Sequence, residues 1–144
     1  MVNINIGDLE PIAYCIVIRE VLDSKRFLKG FGDNVLLKFP IKEIEENIKK
    51  IRKELLSEIE NKKHFVGIKT LLVDLLDRIL AMSNRYNSIN YALASEIQNS
   101  IKKIMKNITY ADNFNDLERL YEEFNRNVFL NMYKLFQESI NLRK

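Results

Sequence analysis

At 144 residues the chain has the length of one domain, and with 47% apolar and 30% charged side chains it has enough core-forming residues to exclude disorder. Four glycines and two prolines are too few for a turn-rich all-β architecture. The net charge of +3 is spread as 0, +1, +3 and −1 over residues 1–40, 41–64, 65–110 and 111–144, which excludes a basic arm or an acidic tail.

The first 40 residues form an N-terminal segment in which Asp8 can cap a helix running through Val21. Residues 14–21 are rich in β-branched side chains and also suit a strand, with 35–39 as its partner. Helix is favoured, because an isolated hairpin has little independent stability. The apolar run 12–18 is too short to span a bilayer and follows Asp8 and Glu10, so neither a signal peptide nor a membrane span is expected. Its Cys15 is the only cysteine, which rules out an internal disulfide and fits a reducing cytoplasm. The glycines in 30–34 lack the remaining elements of a phosphate loop and read as a helix-terminating loop.

Residues 41–144 then read as a core of four long helices. The first follows Pro40, with Ile41, Ile44, Ile48, Ile51, Leu55 and Ile59 on one heptad-like seam. Its carboxylates Glu43, Glu45, Glu46, Glu54, Glu58 and Glu60 alternate with Lys and Arg, the pattern of a solvated face. The second, over 65–82, carries Phe65, Ile68, Leu72, Leu75, Ile79 and Met82, widened by Leu71, Leu76 and Leu80, and is expected to be the most buried. The third spans 86–108, with Tyr86, Ile89, Leu93, Ile97, Ile101, Ile104 and Ile108 inward. Asn115 with Glu118 has the spacing of a capping box, and a fourth helix over 116–141 places Leu117, Leu120, Tyr121, Phe124, Val128 and Leu135 on its main face. The expected fold is therefore all-α: one domain over 1–144, an antiparallel four-helix bundle with the N-terminal segment, helical, packed across it.

Chemistry-bearing groups are sparse. His64 is the only histidine and lies in a lysine-rich turn with no acid or cysteine at ligand spacing, so no metal site, cofactor or catalytic set is expected. Arg85 followed by four residues and Asn90 resembles the Arg-x4-His motif of the HEPN helical ribonucleases, but asparagine stands where their histidine acts as general acid/base. The resemblance therefore implies no nuclease activity, and the family is not assigned.

Two surface features stand out. Lys102, Lys103 and Lys106 share the outward side of the third helix, and Arg85 projects at nearly the angle of Lys103. Together they are a candidate phosphate or nucleic-acid contact. Phe129, Tyr133, Phe136 and Ile140 form a second apolar stripe about 100° or more from the main face of the fourth helix, and are the candidate interface. Either the N-terminal segment or another protein must cover that stripe. The expected function is a non-enzymatic protein-interaction or assembly module, with a homodimer as one form. The alternative is a nucleic-acid-binding accessory subunit of a larger complex.

Overall fold

The computed structural model describes residues 6–23, 42–60 and 64–142, with side-chain environments at 10–23, 46–55, 57 and 64–139. The expectations for 30–34, 35–39 and Pro40, and for the side chains of Ile41, Ile44, Ile59 and Ile140, lie outside these residues. The elements are α1 (Ile6–Leu22), α2 (Lys42–Glu60), α3 (Phe65–Ser83), a 3-10 turn (Asn84–Tyr86) and α4 (Tyr91–Tyr110). They continue as α5 (Phe114–Glu118), α6 (Tyr121–Phe124), a π turn (Asn125–Phe129) and α7 (Leu130–Leu142). The fold is all-α, with no strand among the described residues.

Residues 14–21, which suit a strand by composition, are helical. The packing explains why. Ile12, Ala13, Cys15, Ile16, Val17, Ile18, Val21 and Leu22 are all buried, so α1 is apolar around nearly its whole circumference. A helix satisfies its backbone groups internally and can be enclosed in this way without a sheet partner. Helices α2, α3, α7 and the π turn all pack against α1. The most enclosed long helix is therefore α1, in the N-terminal segment, outside the four core helices among which 65–82 is expected to be the most buried. Helix α3 buries Ile68, Leu72, Leu75, Leu76 and Ile79 but leaves Val66, Thr70, Asp74 and Asp77 exposed.

Helices α3 and α4 form an antiparallel pair. Lys69, near the start of α3, donates from Nζ to the carbonyl oxygens of Thr109 (3.0 Å) and Ala111 (2.7 Å) at the end of α4. These are carbonyls that the helix end leaves without intrahelical partners, and a cation there also complements the macrodipole. At the same end Phe65 and Phe114 meet edge to face, with ring centroids 5.3 Å apart. Helix α4 begins at Tyr91, later than its periodicity implies, because the Asn90 side chain accepts a hydrogen bond from the Leu93 backbone N–H (3.1 Å) and caps it. Tyr86 and Ile89 belong to the connection, where Tyr86 is nevertheless buried. The cap of α5 is also displaced from the expected pair. Asn113 accepts from Asp116 N–H (3.0 Å), and Asp116 Oδ2 accepts from Asp112 N–H (2.9 Å).

The final helix is not continuous. A short break separates α5 from α6, and the π turn interrupts the stretch beyond. A one-residue insertion of this kind rotates everything beyond it by about 100° relative to a uniform helix. From the π turn onward both stripes read from the sequence are buried, Val128 and Leu135 of the main face together with Phe129 and Phe136 of the second. Before the π turn the buried residues are Leu117, Leu120 and Phe124. From Val128 onward they include Val128, Phe129, Met132, Leu135 and Phe136. The candidate interface is corrected accordingly. Phe129 and Phe136 are each only 1% exposed and belong to the core, and Tyr133 is half-buried against it. The π turn and α7 pack against both α1 and α4, and this double contact uses the second stripe.

Truncating a fully buried phenylalanine removes about 3–5 kcal/mol. Phe136→Ala is thus expected to lower the unfolding free energy by that amount without altering the molecular mass seen in light scattering; an unchanged denaturation midpoint would contradict the core assignment. Gly67 offers the opposite test. A Cβ there would stand 2.7 Å from Cε1 of His64, whose side chain is exposed and whose ring is free to swing aside. Gly67→Ala is expected to raise stability by about 0.5–1 kcal/mol in chemical denaturation, through helix propensity.

Candidate functional site

Two groups of polar side chains interrupt an otherwise conventional helical surface and core. The first is the outward face of α4. Its inner face buries Ala94, Ile97, Ile101, Ile104 and Ile108, which fixes the opposite side toward solvent. Lys102, Lys103 and Lys106 are all exposed there. Lys103 reaches across to α6 and pairs with Glu123 at 3.4 Å. Lys102 and Lys106 form no ion pair among the described residues. One turn further on, Tyr110 is 73% exposed, and Tyr91 at the start of the helix is 71% exposed. Lys102, Lys106 and Tyr110 follow at i, i+4 and i+8, so they succeed one another along a single ridge of about 12 Å.

Arg85 does not join this ridge as the sequence suggests. It lies in the 3-10 turn before α4, so a helical projection from the lysines does not reach it. That turn is held to α4 by Gln98, which donates from Nε2 to Oδ1 of Asn84 (3.3 Å) and of Asn87 (3.1 Å). Asn90, the position occupied by histidine in the HEPN motif, is engaged structurally. Besides capping α4, it donates from Nδ2 to Glu138 on α7 at 3.4 Å.

The second group is internal and was not singled out from the sequence. Glu20 on α1 accepts hydrogen bonds from Nε (3.0 Å) and from a terminal nitrogen of Arg52 on α2, a charged pair shielded from solvent at both ends. Its neighbour Arg19 donates to Oδ1 of Asn125 at 3.0 Å and lies 4.4 Å above the ring of Phe129. Both partners belong to the π turn, so Arg19 fastens α1 to that irregular segment by a charge-assisted hydrogen bond and a cation–π contact. The signal in the sequence is the Arg19-Glu20 pair inside an apolar run. Their partners lie 106 and 32 residues away and have no local signature.

Cys15, one turn before Arg19, is fully buried. Burial pushes its thiol well above the usual range, and the nearby Arg19 charge offsets this only in part. The thiolate, which is the reactive form, is thereby suppressed. His64 is exposed at the start of α3 and makes no side-chain cap. Among the described residues, no three His, Cys, Asp or Glu side chains gather in a metal-holding group, and no helix is long and apolar enough to cross a membrane. The chain matches no known protein family, no curated protein and no solved structure.

The internal group has the properties of a structural lock, and this can be measured. Arg52→Ala leaves the Glu20 carboxylate in a shielded site and is expected to cost about 3–5 kcal/mol, whereas Glu20→Leu with Arg52→Met removes both charges and recovers most of that loss. Unfolding free energies of both variants in denaturant supply the comparison, and equal destabilisation by the two would show that the charge pairing is not what matters.

Proposed function

We propose that this protein is a non-enzymatic binding module whose working surface is the outward ridge of α4, and that its partner is a phosphate-bearing polyanion. The observation that carries this reading is the pair Lys102 and Lys106, which stand one turn apart in solvent with no ion pair among the described residues. Two such ammonium groups at helical spacing can neutralise neighbouring phosphates and release their counterions. Lys103 adds a third cation, partly shared with Glu123. Lysines near a helix C-terminus also complement the macrodipole, but Lys69 already occupies the terminal carbonyls of α4.

The competing reading is assembly through the last helix, as a homodimer or with a foreign protein. It rested on an aromatic stripe whose Phe129 and Phe136 are used inside this chain. Among the described residues, the large apolar side chains that remain exposed are Val66, Tyr91, Tyr110 and Leu130, on three different helices. They are a weaker basis for a protein interface, which needs a contiguous apolar centre. An accessory role beside a nucleic acid, in the reducing cytoplasm that a single buried thiol suits, accords better with the α4 ridge.

Labelled inorganic polyphosphate is the simplest probe of this surface. Binding is expected at low salt and should weaken steeply as salt rises. Lys102→Glu with Lys106→Glu should reduce affinity by about tenfold or more, while the same charge change at exposed Lys49 and Lys50 on α2 should have little effect. Equal losses from the two double variants would reduce the interaction to net charge and remove the assignment to α4.

A further inference from the structure

Resting on the reading of α4 as a polyanion-contacting ridge, we infer that the partner is single-stranded nucleic acid, held by its phosphates on Lys102 and Lys106 and by a base stacked on Tyr110. Charge alone would serve any polyanion. The ridge adds an aromatic ring in register with its cations: Tyr110 follows Lys106 by one helical turn on the same side. At 73% exposure, both the ring and its hydroxyl are offered to solvent instead of being used in the core. Interleaved cations and exposed rings are what an unpaired strand requires, because its bases are free to leave one another and stack on protein. A duplex keeps its bases stacked internally and gains nothing from such a ring.

The surroundings of Tyr110 suit a base. The contacts of Lys69 with the carbonyls of Thr109 and Ala111 place the start of α3 beside the end of α4. Val66 stands at that same end of the helix pair and is also exposed. Lys69 itself is occupied by the two carbonyls and by the face of Phe65, 5.3 Å from the ring centroid, so it fixes the platform without serving as a phosphate ligand. The antiparallel register sets exposed Asp74 and Asp77 of α3 alongside the middle of α4. Lys103, beside the ridge, is paired with Glu123 of α6. The binding track runs along the line from Lys102 to Tyr110.

Three probes separate the possibilities: a short fluorescent oligothymidylate, the same length of blunt DNA duplex, and inorganic polyphosphate, each titrated with the full chain at low salt and followed by anisotropy. The oligothymidylate should bind more tightly than the duplex. Tyr110→Ala should weaken it by about tenfold, Tyr110→Phe should retain it, and polyphosphate binding should be the same in all three proteins. Tyr110 is exposed, so these variants should fold, which circular dichroism verifies. If the duplex binds as tightly as the single strand, or if Tyr110→Ala leaves the oligothymidylate unaffected, the inference is overturned while the polyanion reading stands on the polyphosphate result. An equal loss of polyphosphate binding in Tyr110→Ala likewise excludes stacking. Absence of binding to all three probes overturns both.

Discussion

The enclosure of α1 is the constraint on which the rest of the structure depends. With aliphatic side chains on every side from Ile12 to Leu22, this helix cannot lie on a surface and must be covered around its circumference. Helices α2 and α3, with the π turn and α7, provide that cover. The two charges that interrupt its apolar run are handled by direction. Consecutive residues on a helix diverge by about 100°, so Arg19 and Glu20 face different neighbours. Arg19 meets Asn125 and Phe129 on the π turn, while Glu20 meets Arg52 on α2. Each charge is compensated at the interface it enters, and each compensation fixes how that neighbour docks.

The irregularity of the last helical stretch follows from the same constraint. That stretch must contact α1 and α4 together, and a uniform helix presents only one continuous apolar stripe to a core. Its sequence contains two stripes, and from the π turn onward, where the helical phase changes, residues of both are buried. Asn125 and Phe129, at the two ends of that turn, are the residues that receive Arg19. The irregular backbone and the buried arginine thus occur at one place because they serve one junction. A π turn often marks a functional site; here its polar and aromatic groups are directed inward, toward α1.

Much of this fold is legible in the sequence, and the misses share a cause. The 3-4 spacing of Ile48, Leu55, Leu72, Ile79, Ile97, Ile101 and Ile108 locates three helices and their inner faces, because local periodicity suffices for a regular helix. Periodicity fails where the phase changes. Applied at a constant angle through residues 116–141, it turns the core residues Phe129 and Phe136 into an apparent surface stripe. Carried back through Asn90, it joins Tyr86 and Arg85 to a helix that starts at Tyr91. The exposure of Lys102, Lys103 and Lys106 is legible because they lie in the uninterrupted middle of a helix. The lock around Arg19, Glu20 and Arg52 is not, since its pairings exist only after α1 has been enclosed.

This bears on where function resides. Side chains that could have served recognition through apolar contact are consumed in covering α1, as Phe129 and Phe136 show. Among the described residues few large apolar groups are left for the surface, and those that remain are dispersed. On the proposed reading, recognition relies on groups that the core rejects: ammonium groups, and rings whose hydroxyls favour water. On α4 these coincide, because its inner face is satisfied by small and aliphatic residues alone, leaving Tyr91, Lys102, Lys106 and Tyr110 to the outside. Such a surface has little apolar area to drive a rigid protein interface. It suits a partner that brings its own charge and its own stacking faces, so that modest contacts repeated along a flexible strand accumulate into binding.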